Sequence, residues 1–317
     1  VELTKSQIDA FNASNEDGIK FNATVEAVSE ADSATTMITD VESGADIFFF
    51  AQDQAARLIQ SGALSKLGVN AAESVSAANT SGVVAACMSG EDMYAYPLTA
   101  DNGYFMYYDK SVIPEADVDS MEALLADCEA AGRTFCMETD TSAWYIASFF
   151  FGTGCVSDWT TDNDGQFISV NDTFNSDKGL IAAKGLYKMQ MFSAHVSSSS
   201  GAEFDAAVPA AVVVSGIWDY NTVSDILGEN LGVADLPCFS VDGSSYHMGS
   251  YNGCKLLGVK PQTDAARSAS LHKLAQYLVS ESEQLARFNA LSWGPANLNA
   301  QASDAVQANP GLAALIQ

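Results

Sequence analysis

Basic residues are scarce in this sequence. Fourteen Lys and Arg stand against 40 Asp and Glu in 317 residues, a formal net charge of −26 at pH 7. So acidic a surface repels phosphate backbones and anionic lipid headgroups, which argues against nucleic-acid binding and against docking through a basic patch. Histidine is nearly missing too. His195, His247 and His272 are far apart and none has a recognisable ligand spacing, so each reads as a surface or capping residue. No two of the six cysteines (Cys87, Cys128, Cys136, Cys155, Cys238 and Cys254) stand at C-x-x-C spacing. That removes the common zinc and redox motifs and leaves the cysteines as scattered small core residues. There is no G-x-S-x-G elbow, no H-E-x-x-H and no G-x-x-x-x-G-K-[ST] phosphate loop. Long apolar runs are absent as well: the longest mostly apolar stretch, 206–218, falls short of the roughly 20 residues a bilayer span needs. Val1-Glu2-Leu3 reads as the interior of something already begun, so a signal or anchor is expected to lie upstream.

What is present is enough apolar material, 48% of residues, to bury a sizeable core, and a length that suggests two domains. Val1, Leu3, Ile8 and Phe11 mark one helical face. Ile19, Phe21, Ala23 and Val25 alternate and predict a strand. A helix is expected over 31–41, a short apolar strand over 46–50, and a helix from Gln52 stopped at Ser61-Gly62. Helices alternating with short apolar strands predict an α/β fold with a parallel sheet covered on both faces. A strand at 94–97, a turn at 99–103 and an aromatic strand at 104–108 follow, and Pro97 and Gly103 bracket a crossover between two lobes. Beyond it, helices are expected at 121–131, 144–151, 176–191, 264–280 and 282–289. Strands are expected at 134–138, 167–170, 211–215, 233–237 and 255–260. Asn163-Asp164-Gly165 is a hairpin turn signal. The acidic cluster Asp158, Asp162, Asp164 and Asp172 fails as a calcium loop, because with Gly165 at position six the first position is Thr160. A solvated hairpin fits it better.

The residues that could carry chemistry stand at strand ends. Phe50-Ala51-Gln52-Asp53 lies where a strand gives way to a helix, at the carboxyl edge where α/β sheets bind ligands. Asp101-Asn102 lies at the lobe boundary, Trp144-Tyr145 opens a helix after the strand ending at Glu138, and Trp218-Asp219 follows the strand 211–215. Rings stack on the C–H face of a sugar and carboxylates accept several hydroxyl protons, so the set suits a neutral, polyhydroxylated ligand. The bland reading stays open beside it: Phe50, Trp144 and Trp218 as core, Asp53 and Asp101 as simple caps. Paired carboxylates would also serve a glycosidase, with Asp53 and Asp101 as acid and base.

Several segments in order resemble the extracellular solute-binding proteins of carbohydrate ABC importers, of the maltose-binding-protein type found in Gram-positive gut bacteria. They are Gly44 to Asp53 with Gln60-Ser61-Gly62-Ala63-Leu64, Tyr94 to Asn102, Tyr107-Tyr108-Asp109-Lys110, Ser215-Gly216-Ile217-Trp218, Gly249-Ser250-Tyr251-Asn252-Gly253 and Trp293-Gly294-Pro295. The resemblance implies a two-lobed periplasmic-binding-protein type II fold with the ligand cleft between the lobes. It places an N-terminal lobe at 1–99 plus 249–301, a C-terminal lobe at 104–245 plus 302–317, and crossovers near 100–103 and 246–248. It implies ligand contacts from Phe50, Gln52, Asp53, Asp101, Asn102, Trp144, Tyr145, Trp218, Asp219 and Tyr251, with Phe50 and Trp218 as stacking rings and Asp53 bonding sugar hydroxyls. It implies no catalytic residue, no metal and no cofactor.

The function implied is binding of an oligosaccharide, a malto-oligosaccharide or α-glucan fragment, outside the cell and its delivery by cleft closure to ABC permease subunits. The protein is then a monomer that touches the membrane only through a lipid anchor, as a cell-surface lipoprotein. Alternatives are a binding protein for another polar solute or oligosaccharide, a glycoside hydrolase, or a trimmed sensor or fusion module. The family pattern also includes a strand before the first helix and helices after the equivalent of Gln317, with one more stacking aromatic. Neither is in this sequence, so something else is expected to cover the exposed sheet edge.

Overall fold

The structure, a computed structural model, describes residues 1–162 and 167–316. The chain divides into two compact units, Val1–Asn102 with Gly253–Gln307, and Gly103–Asn252 with Ala308–Gln317.

The first unit is organised by three strands in the order Ile47–Ala51, Gly253–Val259, Tyr96–Asn102. The middle strand runs antiparallel to both neighbours, with Phe50 opposite Leu256 and Leu257 opposite Tyr96. The two outer strands therefore run the same way, joined through the helices Ala55–Gln60, Val69–Ala78 and Ser81–Ala86, and the returning strand is inserted between them. The expected parallel sheet is corrected here, because the chain segment that comes back from the second unit fills the gap between strands that would otherwise be parallel neighbours. Pro97 is tolerated in Tyr96–Asn102 because that strand lies at the edge of the sheet. The core beneath is built on Phe48, Phe50, Leu58, Tyr96, Leu98 and Leu256.

Two local expectations in this unit fail. No strand forms over 19–25; the segment is held in extended coil by Asn12, whose Oδ1 accepts from the Phe21 N–H at 2.7 Å, and by Asn15, whose Oδ1 accepts from the Ile19 N–H at 2.7 Å. The turn expected at 99–103 is instead the second half of the strand Tyr96–Asn102, because its backbone pairs with the middle strand. Among the described residues, no strand pairs with the outer edge of Ile47–Ala51, and the helix Glu30–Thr39 lies against it instead. Ser33 there donates its hydroxyl to the Phe49 carbonyl at 2.6 Å.

The second unit carries five strands in the order Leu231–Ala234, Phe105–Asp109, Ala210–Ser215, Thr134–Cys136, His195–Val196. The first two pairings are antiparallel and the last two parallel. Ala210–Ser215 is buried at all six positions, as its unbroken apolar run requires of a central strand. Helices Met121–Ala131, Ala143–Gly152 and Asp177–Gln190 start on serine caps, Ser120, Ser142 and Ser176. The first of them stops at Gly132, left-handed at φ 63°, where a side chain would be strained. Arg133 is held by Asp109 at 3.3 Å and by the Pro209 and Ala210 carbonyls at 3.0 Å. The acidic hairpin pairs Ser157–Thr161 with Phe167–Asp172, exposed at every position; Asn163-Asp164-Gly165 lies outside the described residues. All six cysteines are free, and five are buried.

Candidate functional site

In the second unit, the parallel strands deliver their carboxyl ends to one place. Ala210–Ser215 ends at Gly216, and the chain turns through Ile217–Asp219 into the helix Tyr220–Leu227. Gly216 is required: a Cβ there would lie inside the Trp218 indole. Asp219 is fixed by its own strand, its Oδ2 accepting from the Ser215 hydroxyl at 2.6 Å and from the Gly201 N–H at 2.9 Å. Beyond Thr134–Cys136 comes Glu138, which accepts from the Ser197 hydroxyl at 2.8 Å and from the Asp140 and Thr141 N–H groups. Those bonds, the one from Ser197 foremost, hold its carboxyl below the usual range, so it stays ionised.

Between these ends stands a cluster of rings. Trp144 opens the helix Ala143–Gly152. Its ring centroid lies 6.0 Å from that of Trp218 at 36° and 5.8 Å from that of Tyr251 at 10°. These three rings are half-buried or exposed, Tyr251 at 37%. Behind them, Tyr104 and Tyr145 are buried and meet Trp144 edge-on at 4.6 and 5.1 Å. Tyr104 also donates its hydroxyl to the Trp144 carbonyl at 2.9 Å, which fixes the start of the helix. Burial pushes the Tyr145 phenol up to about 12, with the nearby Asp219 and Glu138 charges adding to the rise. The arrangement is a cluster of partly exposed rings with two fixed carboxylates near the buried Tyr145 behind them. It can stack a flat C–H face and accept hydroxyl protons. Trp144, Tyr145, Trp218, Asp219 and Tyr251 are thus brought together. Tyr145 contributes as a buried support rather than an open face, and Asp219 already accepts two hydrogen bonds.

In the first unit, the carboxyl ends of the two outer strands meet the start of the middle one. Gln52 leaves Ile47–Ala51 and its Oε1 accepts from the Cys254 N–H and thiol, both at 2.9 Å. Asp53 is exposed beside it and accepts from Gln54 at 2.7 Å. Asn102 pairs with Gly253 at the far side of the same strand start. Asp101 is only 1% exposed. Its Oδ2 accepts from the Gly294 N–H at 2.6 Å, and its Oδ1 has no hydrogen-bond partner among the described residues. Burial raises its pKa, opposed mainly by the Lys255 ammonium. Held this way, it fixes the 293–295 segment and is not placed to act as the acid of an acid–base pair.

Phe50 is the clear correction. It is fully buried beneath the first unit's sheet, 5.6 Å from the Phe48 ring, because alternation within the strand turns it to the core. No ligand can stack on it there.

Sequence reasoning missed Tyr104, Glu138 and a group around Lys255. That lysine is 3% exposed, pairs with Glu30 at 3.2 Å and stands 4.1 Å over the Trp293 ring. Lys255 was legible only as one polar residue in an apolar strand. Its partners lie far away in sequence and no local pattern announces them. A concavity of about 690 Å³ in the first unit, lined by Lys66, Val69, Asn70, Ala265, His272 and Lys273, touches none of these residues.

Comparison with known proteins identifies the family and the fold. A search of the curated proteins finds no match. A structure solved with acarbose is 29% identical over 99% of this chain and 80% of that one, at a TM-score of 0.85. The maltodextrin-binding protein MalE1 from L. casei BL23, solved without ligand, is 22% identical over 99% of this chain and 81% of that one, at 0.80. The Thermus thermophilus maltotriose-binding protein, solved with maltotriose, is 18% identical over 99% of this chain and 82% of that one, also at 0.80. The last two show the fold alone: α/β, of the two-lobed periplasmic-binding type. The family model for bacterial extracellular solute-binding proteins matches residues 6–314. The chain belongs to that family of binding proteins and is not an enzyme.

Proposed function

We propose that this protein binds a malto-oligosaccharide outside the cell and delivers it to the permease of an ABC importer, while held at the cell surface by a lipid. The observation that carries the reading is the wall of partly exposed rings, Trp144, Trp218 and Tyr251, with the fixed carboxylates Asp219 and Glu138 near it. Such a wall recognises a sugar by its apolar face and its hydroxyls together, and needs no charge on the ligand. Its place in a chain similar to a structure solved with acarbose favours α-linked glucose units over other polyhydroxylated solutes.

The ring wall and its carboxylates are the second unit's candidate contacts. Asp53 and Asn102 are the first unit's exposed or half-buried candidates, and the half-buried Trp293, held under the buried Lys255, joins them. Thermal melting with a panel of sugars tests this. At a ligand concentration of 100 Kd, binding stabilises by about 2.7 kcal/mol. For units of this size that raises Tm by about 5–10 °C. Maltose, maltotriose or longer members of the series should produce that shift. A panel in which no saccharide moves Tm would overturn the proposal.

A further inference from the structure

We propose that Asp119, Cys238 and His247 form a zinc-binding site on the second unit, built from residues that are not part of the ring wall. A carboxylate oxygen, a thiol sulfur and an imidazole nitrogen from these three lie within 4.8 Å of one another. The backbone brings them together. Cys238 and His247 face each other in register across the hairpin Cys238–Val241 and Ser244–His247. That hairpin is closed by the two-residue turn Asp242-Gly243, both at positive φ, 52° and 83°, which pins the register. Asp119 is laid alongside by the bridge between Ser120 and Cys238 and by the Cys238 N–H donating to the Asp119 carbonyl at 3.0 Å. Three separate stretches of chain, knit by main-chain bonds, therefore present one donor each.

The donor set selects the ion. Thiolate with imidazole and carboxylate suits zinc and is unlike the all-oxygen shells of magnesium and calcium. Around a tetrahedral zinc with bonds of about 2.0–2.3 Å, donors stand roughly 3.3–3.8 Å apart. The Cys238 sulfur is already 3.6 Å from Asp119 Oδ1, so rotation of the His247 side chain supplies most of the remaining adjustment. Asp235 faces the same imidazole, its Oδ2 3.6 Å from His247 Nε2, where it can hold the ring as outer carboxylates hold zinc-bound histidines. Asp119 and His247 are exposed and Cys238 half-exposed, whereas the other five cysteines are buried, so an ion can reach this thiol alone. A bound ion would tie the hairpin to the start of the helix Met121–Ala131.

The test is zinc titration of the chelator-treated, thiol-reduced protein, followed by cobalt substitution. One equivalent should bind and raise Tm, and cobalt should show thiolate-to-metal charge-transfer absorption with the visible bands of a tetrahedral site. Cys238→Ser and His247→Asn should each abolish the charge-transfer band and the zinc-dependent rise in Tm. Asp235→Asn should weaken zinc about 10–100-fold while keeping the cobalt spectrum. Sugar-dependent melting shifts should be the same in all variants, which also shows that they fold. Absence of a stoichiometric equivalent, or zinc binding that survives both Cys238→Ser and His247→Asn, would overturn the proposal.

Discussion

Replacing Phe50 by alanine separates a core ring from a ligand-stacking one. Phe50 is fully buried, lies opposite Leu256 in the strand pair, and meets the Phe48 ring at 5.6 Å. Its surroundings leave no slack: a Cβ at Gly258 would meet its Cε1 at 3.1 Å. Truncation to alanine loses the transfer energy of the ring and leaves a cavity the neighbours cannot fill, a cost of about 3–5 kcal/mol. Against a typical stability of about 5–15 kcal/mol that is a large fraction. At about 2–4 °C per kcal/mol for a unit of this size, the melting temperature should fall by about 6–20 °C. Differential scanning calorimetry measures the fall, and titration of the folded variant with maltotriose at low temperature measures affinity, which should change less than threefold. An unaltered Tm with a tenfold or greater loss of affinity would show that the ring faces the ligand and that the burial argument is wrong.

Trp218→Ala and Trp144→Ala should each weaken sugar binding by about thirtyfold, the equivalent of about 2 kcal/mol for a truncated aromatic hot spot, read by calorimetric titration. The two rings are 6.0 Å apart, so the double variant should lose less than the sum of the singles. Asp219→Ala strands the Ser215 hydroxyl and the Gly201 N–H and should cost about 1–3 kcal/mol, seen as a lower urea midpoint at unchanged slope, with Asp219→Asn losing less. His272 is half-buried between the Tyr96 hydroxyl at 2.8 Å and the Ser65 hydroxyl at 3.1 Å, and burial lowers its pKa below 6.5. The unfolded chain then takes up a proton before the native one does. The stability His272 contributes is present above pH 6.5 and is lost as pH falls from there toward its depressed native value. His272→Gln should flatten the decline in Tm between pH 7 and pH 5, and an unchanged decline would refute the assignment.

How much of this was legible in the sequence depended on whether the partners of a residue were local. The helix Met121–Ala131 was readable because its periodicity and its stop at Gly132 are both within one turn of the element. The strand Ala210–Ser215 was readable because burial on both faces demands an unbroken apolar run. The stretch 19–25 alternates like a strand, yet two upstream asparagine side chains, not a neighbouring strand, satisfy its backbone at Ile19 and Phe21. The segment 99–102 reads as a turn by composition, but a strand more than 150 residues later claims its backbone. The ring wall was partly visible, as Trp144, Trp218 and Tyr251 each stand beside turn or helix-start residues. Its backing by Tyr104 and the nearby carboxylate Glu138 depend on contacts across the sheet that no spacing encodes. Phe50 was misread for the same reason, since nothing within Phe48-Phe49-Phe50 says which ring points inward until the pairing with Leu256 is known.

The central claim is best tested by isothermal titration of the intact protein with maltose, maltotriose and longer malto-oligosaccharides, run beside oligosaccharides without glucose. One site per chain, of about micromolar affinity, is expected for the glucose series and none for the others, with binding lost or much reduced in Trp218→Ala. Silence across the glucose series with clear binding of another sugar would contradict the proposed substrate, and undiminished binding in Trp218→Ala would contradict the ring wall as its site.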